Sequence, residues 1–425
     1  MICFCYASWY LHAVNAHAPT LKLPWLRALL ATREARSMHG AARLLHRSQP
    51  SISLAIASLE ARVGVQLLAR GPAGTELTRE GQCLAERATR GLEFMLRSAQ
   101  GAGLGATPLA RLRHQVRDSP LGALTAAVSA GAIAGAARQR GIAAPVVSRA
   151  LAHLTHAVEQ PLYRRAGNGI ELTRAARELA AGYELLQSEV RQGLEELREL
   201  RGIYDGLLNV GALPTARASW LPRSLEALLE AHPDVSVTIM DGPYEEQLGA
   251  LRQGRIDLIM GALRHPPPGG DLVQEAIFHD TLSLVCRSGH PLQRLRTGRG
   301  TAIDRRALAQ HRWLLPPAGT PAREQWGRLL AARRLPRPAR VIECNSFLTI
   351  RELLLHSDAI AVVPTSQVAS DIVQSRLCIL GPSLPQTRHE VGWTLRAGFR
   401  PTELLRAFLE CSRASAQRAI PETHG

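Results

Sequence analysis

The feature that most constrains this chain is an internal repeat. Displaced by 95 positions, Leu26 to Gly81 aligns without a gap on Leu121 to Ala176, and roughly two-fifths of the aligned residues are identical. The matches fall on punctuation residues, which an Ala-rich composition does not produce by itself. Gly40-Ala41-Ala42-Arg43 recurs as Gly135-Ala136-Ala137-Arg138, Pro50 and Ser53 recur as Pro145 and Ser148, and Glu76-Leu77-Thr78-Arg79 recurs as Glu171-Leu172-Thr173-Arg174. Two copies are too few for a solenoid, so the pattern predicts a small domain present twice.

Each copy reads as three helices and a wing. In the first, Trp25 to Arg33 gives a short amphipathic helix, and Ser37 stands where an N-cap belongs before Met38 to His46. After a turn at Arg47 and Ser48, Ser48 can cap a third helix that has Pro50 in its first turn. Ile52, Ile56, Leu59 and Val63 form an apolar stripe at helical spacing, which must face the other helices. The opposite face carries Gln49, Ser53, Leu54 and Ser58. Small residues at Ala41-Ala42 let two helices approach closely, and a helix docked in this way offers its N-terminal end to a major groove. Gly64 ends it, and Leu67 to Leu77 form a hairpin whose Arg70 can meet a phosphate or a minor groove.

The string Ser37-x3-Ala41-Ala42-x2-Leu45-x2-Ser48-Gln49-Pro50-x2-Ser53-x5-Leu59-Glu60-x3-Gly64-Val65-x-Leu67, closing with Leu77-Thr78-x2-Gly81, resembles the helix-turn-helix signature of LysR-type transcriptional regulators. The resemblance implies a winged helix-turn-helix whose third helix reads double-stranded operator DNA as part of a dimer. It places DNA contacts at Ser37, Ser48, Gln49, Pro50, Ser53, Leu54, Ser58 and Arg70 of the first copy, and at Ser148, Arg149 and Arg165 of the second. The copies depart from the family differently. The first has Leu54 where an arginine is usual, whereas the second keeps Ser148-Arg149 but has Ala144 for the glutamine, Ala132 for the Ser37 cap and Thr155 for Glu60. We therefore expect the first copy to supply the main base contacts and the second to be a structural or auxiliary DNA-binding unit.

After Thr173 the chain runs through Leu179, Tyr183, Leu186, Val190, Leu194 and Leu197, an a/d seam with polar residues between. It is similar to the long linker helix through which LysR-type subunits dimerise. The stretch after the first copy starts likewise with Leu84, Ala88 and Leu92 but meets Gly101-Ala102-Gly103-Leu104-Gly105, so a flexible connection is expected there. A dimer built on the second linker helix would carry four winged helices, and a dimer or tetramer is the expected assembly.

From Leu207 onward, short β-rich runs alternate with amphipathic helices, which predicts an α/β sheet. Strands are expected at Leu207 to Gly211, Val235 to Met240, Ile256 to Met260, Thr281 to Cys286, Arg312 to Leu315, Ala359 to Val363 and Val391 to Leu395. Pro266-Pro267-Pro268-Gly269-Gly270 is expected to mark a crossover between two lobes. Gly206-x4-Gly211, Leu221-Pro222, His232-Pro233-x-Val235, Leu251-x2-Gly254-x2-Asp257-Leu258, His290-Pro291-Leu292 and Val363-Pro364 resemble the LysR effector-binding domain, a two-lobed fold like periplasmic solute-binding proteins of type 2. Leu353 to Ala359 resembles the subgroup linked to sugar sensing. Such lobes bind a ligand between strand C-termini and helix N-termini. That places effector contacts at Thr215 and Arg217, Gly319 and Thr320, and Asn345 and Ser346.

The expected architecture is thus α/β multidomain: an N-terminal tail (1–20), two all-α winged helix-turn-helix domains (21–85 and 119–176) separated by a linker (86–118), a linker or dimerisation helix (177–203), and the two-lobed effector domain (204–418). The formal charge of +15 leans toward the N-terminal half: residues 1–200 carry 24 Lys+Arg and 15 Asp+Glu, a net of +9. Lys22 is the only lysine, so part of the basicity is an arginine-rich composition. The seven cysteines are scattered without paired zinc spacing and read as free thiols in a reducing compartment. No run of some twenty apolar residues suggests a membrane span, and the first eighteen residues lack the basic start of a signal peptide. No nucleophile elbow, Walker loop, metalloprotease helix or dinucleotide fingerprint is present, so no enzyme activity and no cofactor are expected. The implied partners are operator DNA, a small-molecule effector, a second copy through the linker helix, and RNA polymerase, in the cytoplasm. The alternative is a divergent partner of another regulator that no longer binds DNA, with a solute-binding or enzymatic α/β protein behind it.

Overall fold

A computed structural model describes residues 21–71, 74–166, 169–294, 305–332, 338–381 and 384–419. The chain divides into two compact units, Met1–Tyr204 with Arg252–Arg255, and Asp205–Leu251 with Ile256–Gly425.

The first unit runs α1 (Leu23–Ala35), α2 (Met38–Leu44), α3 (Gln49–Val63), a hairpin of β1 (Leu68–Gly71) and β2 (Gly74–Leu77), and α4 (Arg79–Gly101). After α5 (Ala106–His114) the same order returns as α6 (Asp118–Ala130), α7 (Ile133–Arg140), α8 (Ala144–Val158), β3 (Tyr163–Ala166), β4 (Gly169–Leu172) and α9 (Arg174–Glu199). Every repeated element starts 95 residues after its counterpart, so the sequence register is also the structural one. Local chemistry explains the boundaries. Ser37 caps α2 by accepting from Gly40 N at 3.0 Å, Gly64 ends α3 in the left-handed region at φ 73°, and Thr78 and Thr173 cap the two long helices. Ala132, as its sequence implies, offers α7 no side-chain cap.

The expected flexible connection is instead ordered. Although Gly101 ends α4, Leu104, Leu112 and Val116 are buried in the common core, and the buried Arg27 of α1 donates to the carbonyls of Leu112 and Val116 at 2.6 and 2.7 Å. Burial pushes the Arg27 pKa down to about 10, against the pull of Asp118. The glycine cluster therefore makes a turn and not a tether. The seam expected to seek a second chain is likewise covered from within, because α9 packs antiparallel along α4. Leu84, Ala88 and Met95 of α4 join Leu179, Leu186, Val190 and Leu197 of α9 in one hydrophobic cluster that also takes in α1–α3 and α6–α8.

The second unit holds β5 (Leu207–Ala212), α10 (Trp220–Ala231), β6 (Ser236–Met240), α11 (Tyr244–Arg252), β7 (Leu258–Ala262), β8 (Leu272–Arg287), β9 (Trp313–Leu315), α12 (Pro321–Ala332), β10 (Val341–Glu343), α13 (Phe347–Leu355), β11 (Ile360–Pro364), α14 (Thr365–Val373), β12 (Leu377–Ile379), β13 (Leu384–Arg396) and α15 (Glu403–Ala419). Its mixed sheet has the order β10-β9-β11-β8-β13-β7-β5-β6, with β12 beside β8. The strands β5, β6 and β7 pair in parallel around a core of Trp220, Phe278, Trp393 and Phe408. The strands β9, β10 and β11 pair in parallel in a second lobe built on Trp313, Trp326 and Val362. The long β8 and β13 run through both lobes, so the crossover lies along them near Asp280 and His389. Pro266 to Gly270 instead forms the loop between β7 and β8. Cys286 and Cys378, read from sequence as scattered thiols, face each other across β8 and β12 with Sγ atoms 3.1 Å apart.

Candidate nucleic-acid interface

The apolar stripe of α3 is buried at Ile52, Ile56 and Leu59 against α1 and α2. This leaves Gln49, Pro50 and Leu54 exposed, with Leu54 at 69%. Gln49 Nε2 donates to Ser53 Oγ at 3.0 Å, so the two share one outward edge. Ser58 turns inward on its own helix and donates to Leu54 O at 2.7 Å. Ser37 is engaged as a cap, and Ser48, exposed, makes no cap bond to α3. The wing is pinned to this helix because Glu60 Oε1 accepts from Leu67 N and Leu68 N at 2.8 and 3.2 Å. The side chains of Arg70 and Arg165 lie outside the described residues.

In the second copy Val147, Leu151, Leu154 and Val158 are buried on α8. Arg149 is exposed, donating to Pro145 O at 3.4 Å, and Ser148 is half-buried. Thr155, in the place of Glu60, cannot reach the wing amides. Its Oγ1 is buried with no hydrogen-bond partner among the described residues.

Sequence reasoning missed a basic groove beside the first reading helix. It has a volume of about 540 Å³ and is lined by His39, Ala42, Arg43, His46, Arg47, Ser48 and Gln49. The signal was available as four cationic or titratable side chains within residues 39–47. The α2–α3 turn gathers these side chains around one groove. Clustered cations next to an exposed helix N-terminus suit a phosphate backbone.

In the second unit Thr215 lies in a one-turn helix (Pro214–Arg217) after β5. It is buried, and the turn packs against α14 of the other lobe. Arg217 pairs with Asp241. Thr320 accepts from Arg323 N at 3.3 Å, starting α12, and Gly319 before it has φ 75°. Ser346 caps α13 through Thr349 N at 3.3 Å, and Asn345 is exposed. A polar cluster at the crossover went unnoticed in the sequence. Asp280, buried, accepts from Ser366 Oγ at 2.6 Å, and Thr365 Oγ1 lies 2.7 Å from Ser283 Oγ and 3.2 Å from Thr281 Oγ1. Burial pushes the Asp280 carboxyl up, against the hydrogen bond from Ser366. Only pairing across β8 and β11 brings these residues together.

Comparison with known families matches residues 201–417 to the LysR substrate binding domain, and residues 23–82 and 120–177 each to the bacterial regulatory helix-turn-helix protein, lysR family. The chain belongs to the LysR family of transcriptional regulators. The HTH-type transcriptional regulator GalR of Pseudomonas putida is 32% identical over 394 residues, covering 91% of this regulator and 96% of that protein. PcaQ of Agrobacterium fabrum is 27% identical over 278 residues, covering 65% and 87%. Among solved structures, ArgP from Mycobacterium tuberculosis has a TM-score of 0.52 at 19% identity over 71% of this chain and 98% of its own. A full-length OxyR variant from Pseudomonas aeruginosa has 0.51 at 21% over 69% and 96%. Both likenesses establish the fold of this LysR-family regulator, a helix-turn-helix DNA-binding part followed by an α/β substrate-binding domain. No single helix among the described residues is long and apolar enough to cross a membrane.

Proposed function

We propose that this LysR-family regulator binds operator DNA with both winged segments, 21–85 and 119–176, and senses a small polar or anionic effector in 204–418. The observation that carries the DNA reading is the division of α3 into a buried apolar stripe and an outward edge of exposed Gln49 and Leu54 with half-buried Ser53 beside a basic groove. Residues 86–118 connect the two segments and 177–203 pair with them. GalR is matched over nearly the whole of this chain, whereas PcaQ is matched over 65% of it, which supports a domain plan shared with GalR and longer than that of PcaQ. Contact with RNA polymerase and a cytoplasmic location belong to the same reading and rest on family membership.

The effector reading is supported by Thr215 and Thr320, which sit on different lobes at the starts of helical turns after β5 and β9. Gel shifts on the upstream intergenic DNA, repeated across salt concentrations, test the first half. Binding must weaken steeply with salt and survive competition by unrelated duplex. Equal competition by any duplex contradicts operator recognition. Titration calorimetry with a metabolite panel tests the second half. A triple substitution Thr215→Ala, Thr320→Ala and Asn345→Ala that leaves effector affinity intact overturns the assignment.

A further inference from the structure

The α4–α9 contacts repeat about a two-fold axis internal to the chain. Gly91 faces Leu186, its own counterpart 95 positions on. Gly182 packs on Ser98, and Gly193 packs on Arg87. Gly182 is the counterpart of Arg87, and Gly193 that of Ser98. A residue that meets another, while their counterparts meet in exchange, defines an isologous interface. The two winged segments are therefore arranged as two subunits of a symmetric dimer, within one polypeptide and around one core.

Charge makes this pairing heterotypic. The Arg87 guanidinium is fully buried and donates to Glu189 at 3.0 Å, Gln192 at 2.8 Å and both Glu196 oxygens at 3.0 and 2.5 Å. The counterparts of those three acceptors on α4 are Phe94, Arg97 and Gly101, and the counterpart of Arg87 on α9 is Gly182. Two α4 helices paired in this manner would bury guanidiniums with no carboxylate opposite. Two α9 helices would bury carboxylates with no guanidinium opposite. An uncompensated buried charge is strongly destabilising, so α4 selects α9 over itself.

The edges so presented are not the same. The first offers Gln49 and Leu54 where the second offers Ala144 and Arg149. A glutamine amide matches adenine and an aliphatic side chain matches the thymine methyl, whereas a guanidinium matches guanine. The phosphate grip is unequal too, because His39, His46 and Arg47 are replaced by Ala134, Gly141 and Ile142.

Resting on the DNA-binding reading above, we propose that a single chain reads an asymmetric operator. In it α3 addresses an A·T half-site and α8 a G·C half-site, and the internal α4–α9 pair replaces the contact between two chains.

The full-length chain is incubated with randomised duplex DNA, and the bound sequences are recovered. The expected result is two dissimilar half-sites with centres about 10 bp, or a multiple, apart. Arg149→Ala flattens preference at the G·C half-site alone by about tenfold or more, a factor within the discrimination of one bidentate contact, and Gln49→Ala does so at the other. A palindromic consensus, enrichment of no sequence, or both variants flattening the same positions overturns the asymmetric reading. Absence of binding even at low salt overturns the DNA-binding reading beneath it. Internal pairing is read separately at the end of the crossing, where a Cβ on Gly101 would stand 3.4 Å from Glu178 Oε2, by treating a Gly101→Cys, Glu178→Cys double variant with a short bifunctional thiol cross-linker and comparing it with each single variant. A cross-link within one chain is expected. A covalent dimer specific to the double variant, or no cross-link, overturns internal pairing.

Discussion

Gly91 and Leu186, counterparts in the two repeats, lie against each other where α4 crosses α9: a Cβ on Gly91 would stand 3.0 Å from Leu186 Cα and 3.2 Å from its carbonyl oxygen. Backbone there yields less readily than a flexible side chain, so a side chain on the α4 side must push the α9 backbone back by a few tenths of an ångström. Gly91→Leu is expected to destabilise the full-length chain by about 1–3 kcal/mol of overpacking, or more, read as a lower melting temperature. Gly91→Ala should cost less. Unchanged melting for Gly91→Leu would mean that the helices do not cross at this point.

The two wings are held differently, and the difference is measurable. Glu60 binds Leu67 N and Leu68 N, so Glu60→Ala should speed exchange of those two amides and cost about 1–3 kcal/mol locally. Thr155→Glu places the same acceptor opposite Leu162 N and Tyr163 N in the second copy and should slow their exchange. Amide exchange followed by mass spectrometry reads both variants, and no change in either denies the carboxylate its role.

Asp118 gives a pH dependence with a definite sign. Its carboxylate accepts from Leu23 N at 2.9 and 3.2 Å and from Tyr183 Oη at 3.3 Å. Burial nevertheless pushes its pKa up, with the hydrogen bond from Leu23 opposing the rise. A raised carboxyl pKa means that the folded state holds the proton more tightly than the unfolded one. The ionised group thus weakens the fold at neutral pH, and this penalty fades as pH falls through the raised value toward the ordinary one of about 3.9. Asp118→Asn keeps an acceptor for Leu23 and removes the penalty, so it should melt no lower at pH 7 and show a smaller relative gain on acidification. Asp118→Ala should melt lower at pH 7. A steeper gain for the asparagine variant would refute the sign.

Much of the fold could be read from the sequence because its signals are local. The cap at Ser37, the stripe of Ile52, Ile56 and Leu59, and the strands expected at Leu207 to Gly211 and Ala359 to Val363 lie, to within a residue, where capping and periodicity place them. What escaped was set by distant partners. The seam of α9 specifies an apolar neighbour without saying whose, and α4 of the same chain supplies it. Gly101 to Gly105 read as a tether because nothing nearby in sequence reveals that Leu112 and Val116 will be buried or that Arg27 will hold their carbonyls. β12 is three residues long and gains its identity only by pairing with β8. The Asp280–Ser366 contact joins residues 86 apart.

Arg87 offers the sharpest test of what holds the two helices together. Burial opposes its charge, but the hydrogen bond and charge of Glu196, with Glu189 behind it, more than offset this and hold the guanidinium protonated. Arg87→Ala leaves Glu189 and Glu196 buried beside a cavity, and the expected loss is about 3–5 kcal/mol. The pair itself is a different quantity, since desolvating both charges cancels much of their attraction. Arg87→Met combined with Glu189→Met and Glu196→Leu removes the guanidinium and both carboxylates and fills the space with apolar atoms. The combined variant should therefore melt well above Arg87→Ala and near the unmodified chain. Because the apolar cluster no longer distinguishes α4 from α9, the same variant should lose selectivity of pairing while keeping stability, seen as chain-to-chain association in analytical ultracentrifugation. If it melts as low as Arg87→Ala, the ion cluster contributes stability and not merely choice of partner. If it stays stable and associates no more than the parent, the charges do not select the partner.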